Sequence, residues 1–392
     1  MLNSRLDRLA DYPFARLAAL LGEVTGDAIV MSIGEPQHPA PPLVAEQLAA
    51  HAGSWNKYPP GNGTADFREA VTDWLVRRFR LPSGLIDPHR MILPVAGTRE
   101  ALYLAAQLAG RRGADGAPPA VLLPNPFYQV YAGAAIMAGA EPVLVPGMDG
   151  PASQPDFSTL PDSLLARTVM AYLCSPANPQ GAVADPGLLA RTIETARRFD
   201  FILAADECYS EIWDREEPSG ALAACAAMDG RLDQVLVFNS LSKRSSVPGL
   251  RSGFVAGDPA LIAAFGRLRA YGGAATPLPV LAAASALWRD ETHVIENRAL
   301  YRAKIDAAER LLGGRFGFRR PEGGFFLWLD VGDGEAAATA LWREARIRVL
   351  PGAYLADDGI NGDNPGRPFI RVALVHDLAT TERALGRMAQ IL

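Results

Sequence analysis

The chain has 392 residues and 41.8 kDa, more than one compact core holds, so a large domain with a smaller one is expected. Hydrophobic residues make up 49% and charged residues 21%, enough apolar material for a sizeable core, which excludes long disorder. Lys+Arg 38 against Asp+Glu 43 gives a net charge of −5 without like-charge blocks, so no basic stripe offers itself to nucleic acid.

In chain order, the opening segment MLNSRLDRLADYPF carries Asp7 and Asp11 where a secretory signal needs an apolar stretch. No run approaches the roughly 18 apolar residues of a membrane span. Cys174, Cys208 and Cys225 form neither pairs nor a C-x-x-C, which fits a reducing compartment. A cytoplasmic protein without membrane contact is expected. Gly61-Asn62-Gly63-Thr64-Ala65-Asp66 starts like a dinucleotide fingerprint but follows two prolines instead of a strand and puts Asp66 at the third glycine, so that reading fails.

From about residue 90 to 257, β-rich runs alternate with helical stretches, the pattern of βαβ units and a mostly parallel sheet. The runs are Met91–Val95, Ala120–Leu123, Val143–Val145, Thr168–Cys174, Phe201–Ala205, Val235–Asn239 and Gly253–Ala256. Helices are expected over Arg99–Ala109, stopped by Gly110, and over Pro186–Phe199, where proline suits the first turn. Beyond Thr276–Pro279 the helices lengthen. Tyr301, Ile305, Ala308 and Leu312 make one apolar stripe ended by Gly313 and Gly314, followed by strands at Phe325–Asp330 and Phe369–Leu374 around a helix near Glu335–Ala345. The division expected is a large α/β domain at 46–275, a small α+β domain at 276–392, and an N-terminal segment, 1–45, joined to the small one.

Only Lys57, Lys243 and Lys304 are lysine among 38 basic residues. A lysine in an apolar setting is then a candidate for losing its proton and attacking a carbonyl, which arginine does not do. Lys243 follows an apolar run, whereas Lys304, between Arg302 and Asp306 on an amphipathic helix, is expected to be solvated, and so is Lys57. The histidines His38, His51, His89, His293 and His376 show no ligand spacing and no metal is expected, although His38 lies near enough to the Gly34 loop to touch substrate.

Ligands of open parallel sheets bind beyond the carboxyl ends of the strands. There the chain carries Ala96-Gly97-Thr98-Arg99 opening a helix, Asn125-Pro126-Phe127-Tyr128-Gln129-Val130-Tyr131, Ser175-Pro176-Ala177-Asn178, Asp206-Glu207-Cys208-Tyr209, and Ser240-Leu241-Ser242-Lys243 with Arg251 eight positions on. A phosphate cradle, aromatic faces, an acid, a phenol, hydroxyls, an arginine and a lysine are the parts that hold pyridoxal 5'-phosphate. The acid pairs with a protonated pyridine nitrogen, and the neutral amine of the lysine joins the cofactor aldehyde and shuttles a proton. Glu207 is expected on the other side of its strand end, in a structural role.

Over about Ser32 to Val375 these motifs resemble the fold-type-I, pyridoxal-phosphate-dependent class I aminotransferases. The resemblance implies that Lys243 binds the cofactor covalently, that Asp206 pairs with its ring nitrogen, that Asn178 and Tyr209 bond its phenolic oxygen, and that Tyr128 stacks on the ring. Gly97, Thr98, Arg99, Ser240, Ser242 and Arg251 would belong to the cofactor site, with Tyr58 reaching the phosphate of a neighbouring subunit, hence a homodimer with shared sites. Arg371, in Phe369-Ile370-Arg371-Val372, would grip the substrate α-carboxylate beside Gly34.

The segments SIGEPQHP, NPFYQVY, ADECYSEI and SLSKRSSVPGLRSGF resemble the N-succinyldiaminopimelate aminotransferases of bacterial lysine biosynthesis. That implies N-succinyl-LL-2,6-diaminopimelate and 2-oxoglutarate as substrates, with Arg99, Arg244 and Arg269 as candidates for a remote carboxylate. Departures are Gln180, where that group usually has threonine, and a bland Tyr271–Thr276 strip beside the expected pocket. Alternatives are an aminotransferase for aspartate, acetylornithine or an aromatic amino acid, a lyase on the same scaffold, and a cofactor-binding regulator, for which the roughly 30 residues before Gly34 leave no helix-turn-helix domain.

Overall fold

A computed structural model describes residues 2–24, 26–110, 117–358 and 362–392. Strand β1 (Ile29–Val30) precedes the strands of the main sheet, which are β2 (Ile92–Val95), β3 (Ala120–Asn125), β4 (Glu141–Pro146), β5 (Thr168–Cys174), β6 (Ile202–Asp206), β7 (Val235–Ser240) and β8 (Gly253–Gly257). Their order across the sheet is β2-β8-β7-β6-β5-β3-β4. All neighbours from β7 to β4 run parallel, while β8 is antiparallel to both β2 and β7. Parallel neighbours need crossover helices. Between β7 and β8 lies only a four-residue helix, Leu241–Arg244, and a short 3-10 turn, so the chain comes back antiparallel with Lys243 in the link.

The strands are buried on both faces, which is why they read as continuous apolar runs. Along them alternate residues serve two cores. Leu122, Leu173, Leu203 and Val237 pack on one side with Trp74 and Trp288, and Leu123, Tyr172, Ala204 and Phe238 on the other with Tyr131 and Phe265. Helix Pro186–Phe199 forms over the span expected, because the Asp185 carboxylate accepts from the Leu188 amide at 2.9 Å, Pro186 sets the first turn and Asp200 closes the end with φ +54°.

A further core surrounds the antiparallel sheet of β9 (Phe326–Asp330), β11 (Leu350–Pro351) and β12 (Phe369–Ala373), with β1 pairing in parallel with β10 (Ile347–Arg348). Met31, directly after β1, is buried with Leu327, Leu341 and Val372 in that core. Among the described residues no helix is long and apolar enough to cross a membrane.

Two expectations change. Helix Leu278–Arg289, assigned above to the C-terminal part, packs on Pro42–Ala50 and Ala65–Phe79, with the Trp288 ring 4.7 Å from that of Trp74. An apolar stripe identifies a helix that is buried, not the core that buries it. Lys304 is not solvated. Helix Thr292–Leu312 is buried along two stripes, Ile305, Ala308 and Leu312 against the small sheet and Asn297, Tyr301 and Lys304 elsewhere, so Lys304 is 1% exposed.

Glu207 is buried outside the cavity that Asp206 enters, and its carboxylate accepts from the Ala221 amide at 2.7 Å and from Asn239 Nδ2 at 3.4 Å. Burial pushes its carboxyl up from an ordinary 4.5 to about 7. The folded protein therefore holds a proton that the unfolded chain releases, and stability from this group is present at low pH and lost as pH rises through 7. Glu207→Gln should gain on the parent by about 3 kcal/mol between pH 4.5 and 8 in urea unfolding. A difference that stays constant across that interval contradicts this.

Candidate active site

At the carboxyl ends of β5, β6 and β7 opens a cavity of about 510 Å³, walled on the far side by the Gly34 loop and by Arg371 of β12. Asp206 ends β6 and is 5% exposed. Its carboxylate accepts from Tyr131 Oη at 2.6 Å and from the Cys208 amide at 3.2 Å, while burial pushes its carboxyl upward. Such a carboxylate stays ionised best beside a cation. Tyr131 lies three residues beyond Tyr128, is fully buried and stacks on Tyr172 at 4.5 Å. Its segment offers it as an aromatic face for the cofactor, and the structure makes it the support of Asp206.

Lys243 projects from the turn after β7 into the same cavity, and its Nζ donates to the Gly34 carbonyl. Burial pushes this amine down from 10.5 to about 8; Arg371 and Arg99 push in the same direction, and Cys208 and Glu35 oppose them. Near neutrality a usable fraction is unprotonated, as attack on a carbonyl requires.

Arg371 is 4% exposed. One terminal nitrogen donates to Asn178 Oδ1 at 2.9 Å, the other to the Ser32 carbonyl at 2.6 Å, and Nε has no partner among the described residues. Its guanidinium carbon lies 4.3 Å over the Phe326 ring, and burial lowers its proton affinity to about 10. A buried cation with neutral partners and an idle donor is arranged for an incoming anion.

The phosphate candidates gather at the opposite rim. Gly97, with φ +84°, caps helix Thr98–Ala105, and a Cβ built on it would stand 2.2 Å from the Arg251 guanidinium. Arg251 donates to the carbonyls of Pro248 at 2.9 Å and Ala96 at 3.0 Å. Ser240 Oγ donates to Ser242 Oγ at 2.9 Å and accepts from the Ser242 amide, and Thr98 Oγ1 lies 3.0 Å from Cys208 Sγ. Arg99 Nε donates to Tyr128 Oη at 2.8 Å, and both line the cavity with Tyr209 and Asn178.

Some candidates stand elsewhere. Tyr58 is fully exposed and is not among the residues lining this cavity. Arg244 is consumed by the Leu287 carbonyl at 2.7 Å and by Glu291 at 2.8 Å, and Arg269 by the carbonyls of Pro94 and Ala274, so neither is left for a remote substrate carboxylate. His38 bonds Asn297 at 2.6 Å and is not in the cavity wall. Tyr12 and Phe14, which carried no motif, line the cavity because helix Pro13–Leu21 packs beside Trp328 and Leu355.

Residues 26–388 match the family model of aminotransferase class I and II. The chain belongs to this family. Its site is thus that of a pyridoxal-phosphate-dependent transaminase of fold type I. The chain is 33% identical over 92% of its length to the 4-dedimethylamino-4-oxo-anhydrotetracycline transaminase of Streptomyces rimosus, which is covered to 92%. It is 30% identical over its whole length to the LL-diaminopimelate aminotransferase of Nitratidesulfovibrio vulgaris, covered to 99%. A crystal structure of an aminotransferase from Neisseria meningitidis superimposes with a TM-score of 0.92 at 40% identity, covering 99% of both chains.

The residues present fit the cofactor. Lys243, Arg99, Arg251 and Arg371 outnumber Asp206 and Glu35 along the wall of the transaminase cavity, which suits a dianionic phosphate together with a carboxylate. The missing Cβ of Gly97 leaves Arg251 and the free amides of the helix start on one approach. Gly97→Ala, at φ +84°, should lower affinity for pyridoxal phosphate at least about tenfold while far-ultraviolet circular dichroism stays unchanged; unaltered affinity contradicts the cradle.

Proposed function

We propose that this transaminase moves the α-amino group of N-succinyl-LL-2,6-diaminopimelate to 2-oxoglutarate. The observation that carries this reading is the pair of arginines, Arg371 and Arg99, that line one cavity of about 510 Å³ with no carboxylate partner among the described residues. Two arginines without a carboxylate partner in a roomy site favour a long donor that carries acid groups remote from its reacting end over alanine or an aromatic amino acid. Relatives named LL-diaminopimelate aminotransferase support the skeleton and favour the unacylated compound as a second reading.

Pyridoxal phosphate supplies the electron sink that lets the Cα–H bond of the amino acid break. Lys243 would hold the cofactor covalently, and its amine would take the proton from the substrate Cα and give it back to complete the transfer. Its low proton affinity suits both tasks. Asp206, fixed by Tyr131 and the Cys208 amide, would carry the negative charge that keeps the ring nitrogen protonated. Asn178 and Tyr209 would bond the phenolic oxygen, and Tyr128 would cover the ring face. Gly97, Thr98, Ser240, Ser242 and Arg251 would hold the phosphate, and Arg371 would bind the α-carboxylate as a fork beside Gly34.

In amino-donor half-reactions, N-succinyl-LL-2,6-diaminopimelate should exceed aspartate, N-acetylornithine and phenylalanine in kcat/KM by about tenfold or more, a transition-state preference of roughly 1.4 kcal/mol. A higher value for aspartate or an aromatic donor contradicts the substrate reading and leaves the transaminase intact, and a higher value for LL-diaminopimelate selects the second reading.

Tyr58, exposed on this chain, belongs in this reading to the phosphate site of a partner subunit in a homodimer. Mixing inactive Lys243→Ala with inactive Tyr58→Ala should restore activity, since each hybrid dimer has one site with both residues. No recovery with hybrids demonstrated by native mass spectrometry contradicts shared sites.

A further inference from the structure

Lys304 is buried to 1% exposure with no carboxylate in ion-pair distance among the described residues. Its Nζ donates to His38 Nε2 at 2.6 Å and to the Leu374 carbonyl at 3.1 Å, and lies 4.8 Å over the Tyr301 ring. A lysine in such a place costs several kcal/mol that an apolar residue of the same volume would not. What it adds is a charge and a direction.

The direction follows from the hydrogen bonds. An ammonium has no acceptor, so His38 Nε2 must present its lone pair and the imidazole proton must sit on Nδ1. That Nδ1 is 2.6 Å from Asn297 Oδ1, which also accepts from Ser246 Oγ at 3.1 Å. With its oxygen so occupied, Asn297 turns its Nδ2 to the carbonyls of Lys243 at 3.1 Å and Arg244 at 3.2 Å. Every bond from the buried ammonium to the Lys243 backbone points the same way, and aligned dipoles carry positive potential along that line. The other end of Lys243 meets the same segment, since Gly34, whose carbonyl accepts from its Nζ, lies four residues before His38.

We propose that Lys304 is a positioning residue of this transaminase, acting through His38 and Asn297 on Lys243 to fix where its amine sits and to favour its unprotonated form. This rests on the reading of Lys243 as the reactive lysine. The charged and titratable groups facing Lys304 are His38 from the Gly34 loop, Tyr301 on its own helix and Asp377 ahead of the last helix; those facing Lys243 are Cys208, Arg371, Glu35, Arg99, Tyr209 and Asp206. Burial lowers the proton affinity of both His38 and Lys304, in keeping with a neutral imidazole that accepts from the lysine.

The test reads the amine itself. In cofactor-free protein, competitive labelling with acetic anhydride between about pH 6 and 10, resolved by peptide mass spectrometry, gives the titration of Lys243 with exposed Lys57 as internal reference. Lys304→Met and Asn297→Leu should each move the Lys243 titration up by about half a unit or more, a fall in labelling near pH 7.5 of about threefold, with Lys57 unchanged. Because both act along one chain, the double variant should fall no further than the larger single effect. Lys304→Met should melt at or above the parent temperature, since an unpaired buried charge is gone. Parental Lys243 labelling in folded Lys304→Met overturns the proposal, as do effects that multiply in the double variant. Failure of Lys304→Met to fold, with parental Lys243 labelling in Asn297→Leu, overturns it as well by reducing Lys304 to packing. Covalent binding of the cofactor at another residue would instead refute the role given to Lys243, whatever these titrations show.

Discussion

Taking an ammonium out of water is costly unless a counter-charge comes with it, and Lys243 is buried with its neighbouring arginines on the same side of the balance. Arg371 and Arg99 share its cavity, and the acids that answer them are Asp206, itself pushed upward by burial, and Glu35. The site is short of negative charge. Burial lowers the proton affinity of the Lys243 amine, the arginines add to it, and the shortage of negative charge leaves room for the phosphate and carboxylate anions that a pyridoxal-phosphate enzyme must hold.

The fold produces this concentration by topology. Parallel β5, β6 and β7 end side by side, so that Asn178, Asp206 and Lys243, spread over 66 positions of sequence, follow neighbouring strands. The antiparallel return of β8 then brings Arg251 back against Gly97 at the start of a helix, and β12 of the smaller core carries Arg371 across the cavity to Asn178. Because the cavity walls come from both cores, the relative placement of the small sheet sets the distance between Arg371 and Lys243. Second-layer contacts hold each group in turn, Tyr131 on Asp206 and Asn297 on the Lys243 carbonyl.

Much of this was legible in the chain itself. Thr168–Cys174 and Pro186–Phe199 appear over the spans read from apolar runs and capping residues, and the residues read at strand ends line or border one cavity. The antiparallel placement of β8 was not legible, since it follows from the want of a crossover helix after Lys243, and small-residue runs do not show strand direction. Lys304 looked solvated because its neighbours Arg302 and Asp306 are polar, yet a helix clasped between two cores buries more than one stripe. Arg244 is expected to be available from its place after a strand end and Arg269 from its place beside the Tyr271–Thr276 strip, and only the carbonyls that bind them reveal otherwise. Tyr128 and Tyr131 stand three positions apart and both line the cavity, so nothing in the pattern separates the one that bonds Arg99 from the one that holds Asp206.

The claim on which everything turns is that the amine held against Gly34 is the one that reacts. Reduction of the cofactor-loaded protein with borohydride, followed by peptide mapping, should place a single pyridoxyl group on Lys243. A pyridoxyl group on Lys57 or Lys304, with Lys243 unmodified, would contradict the account.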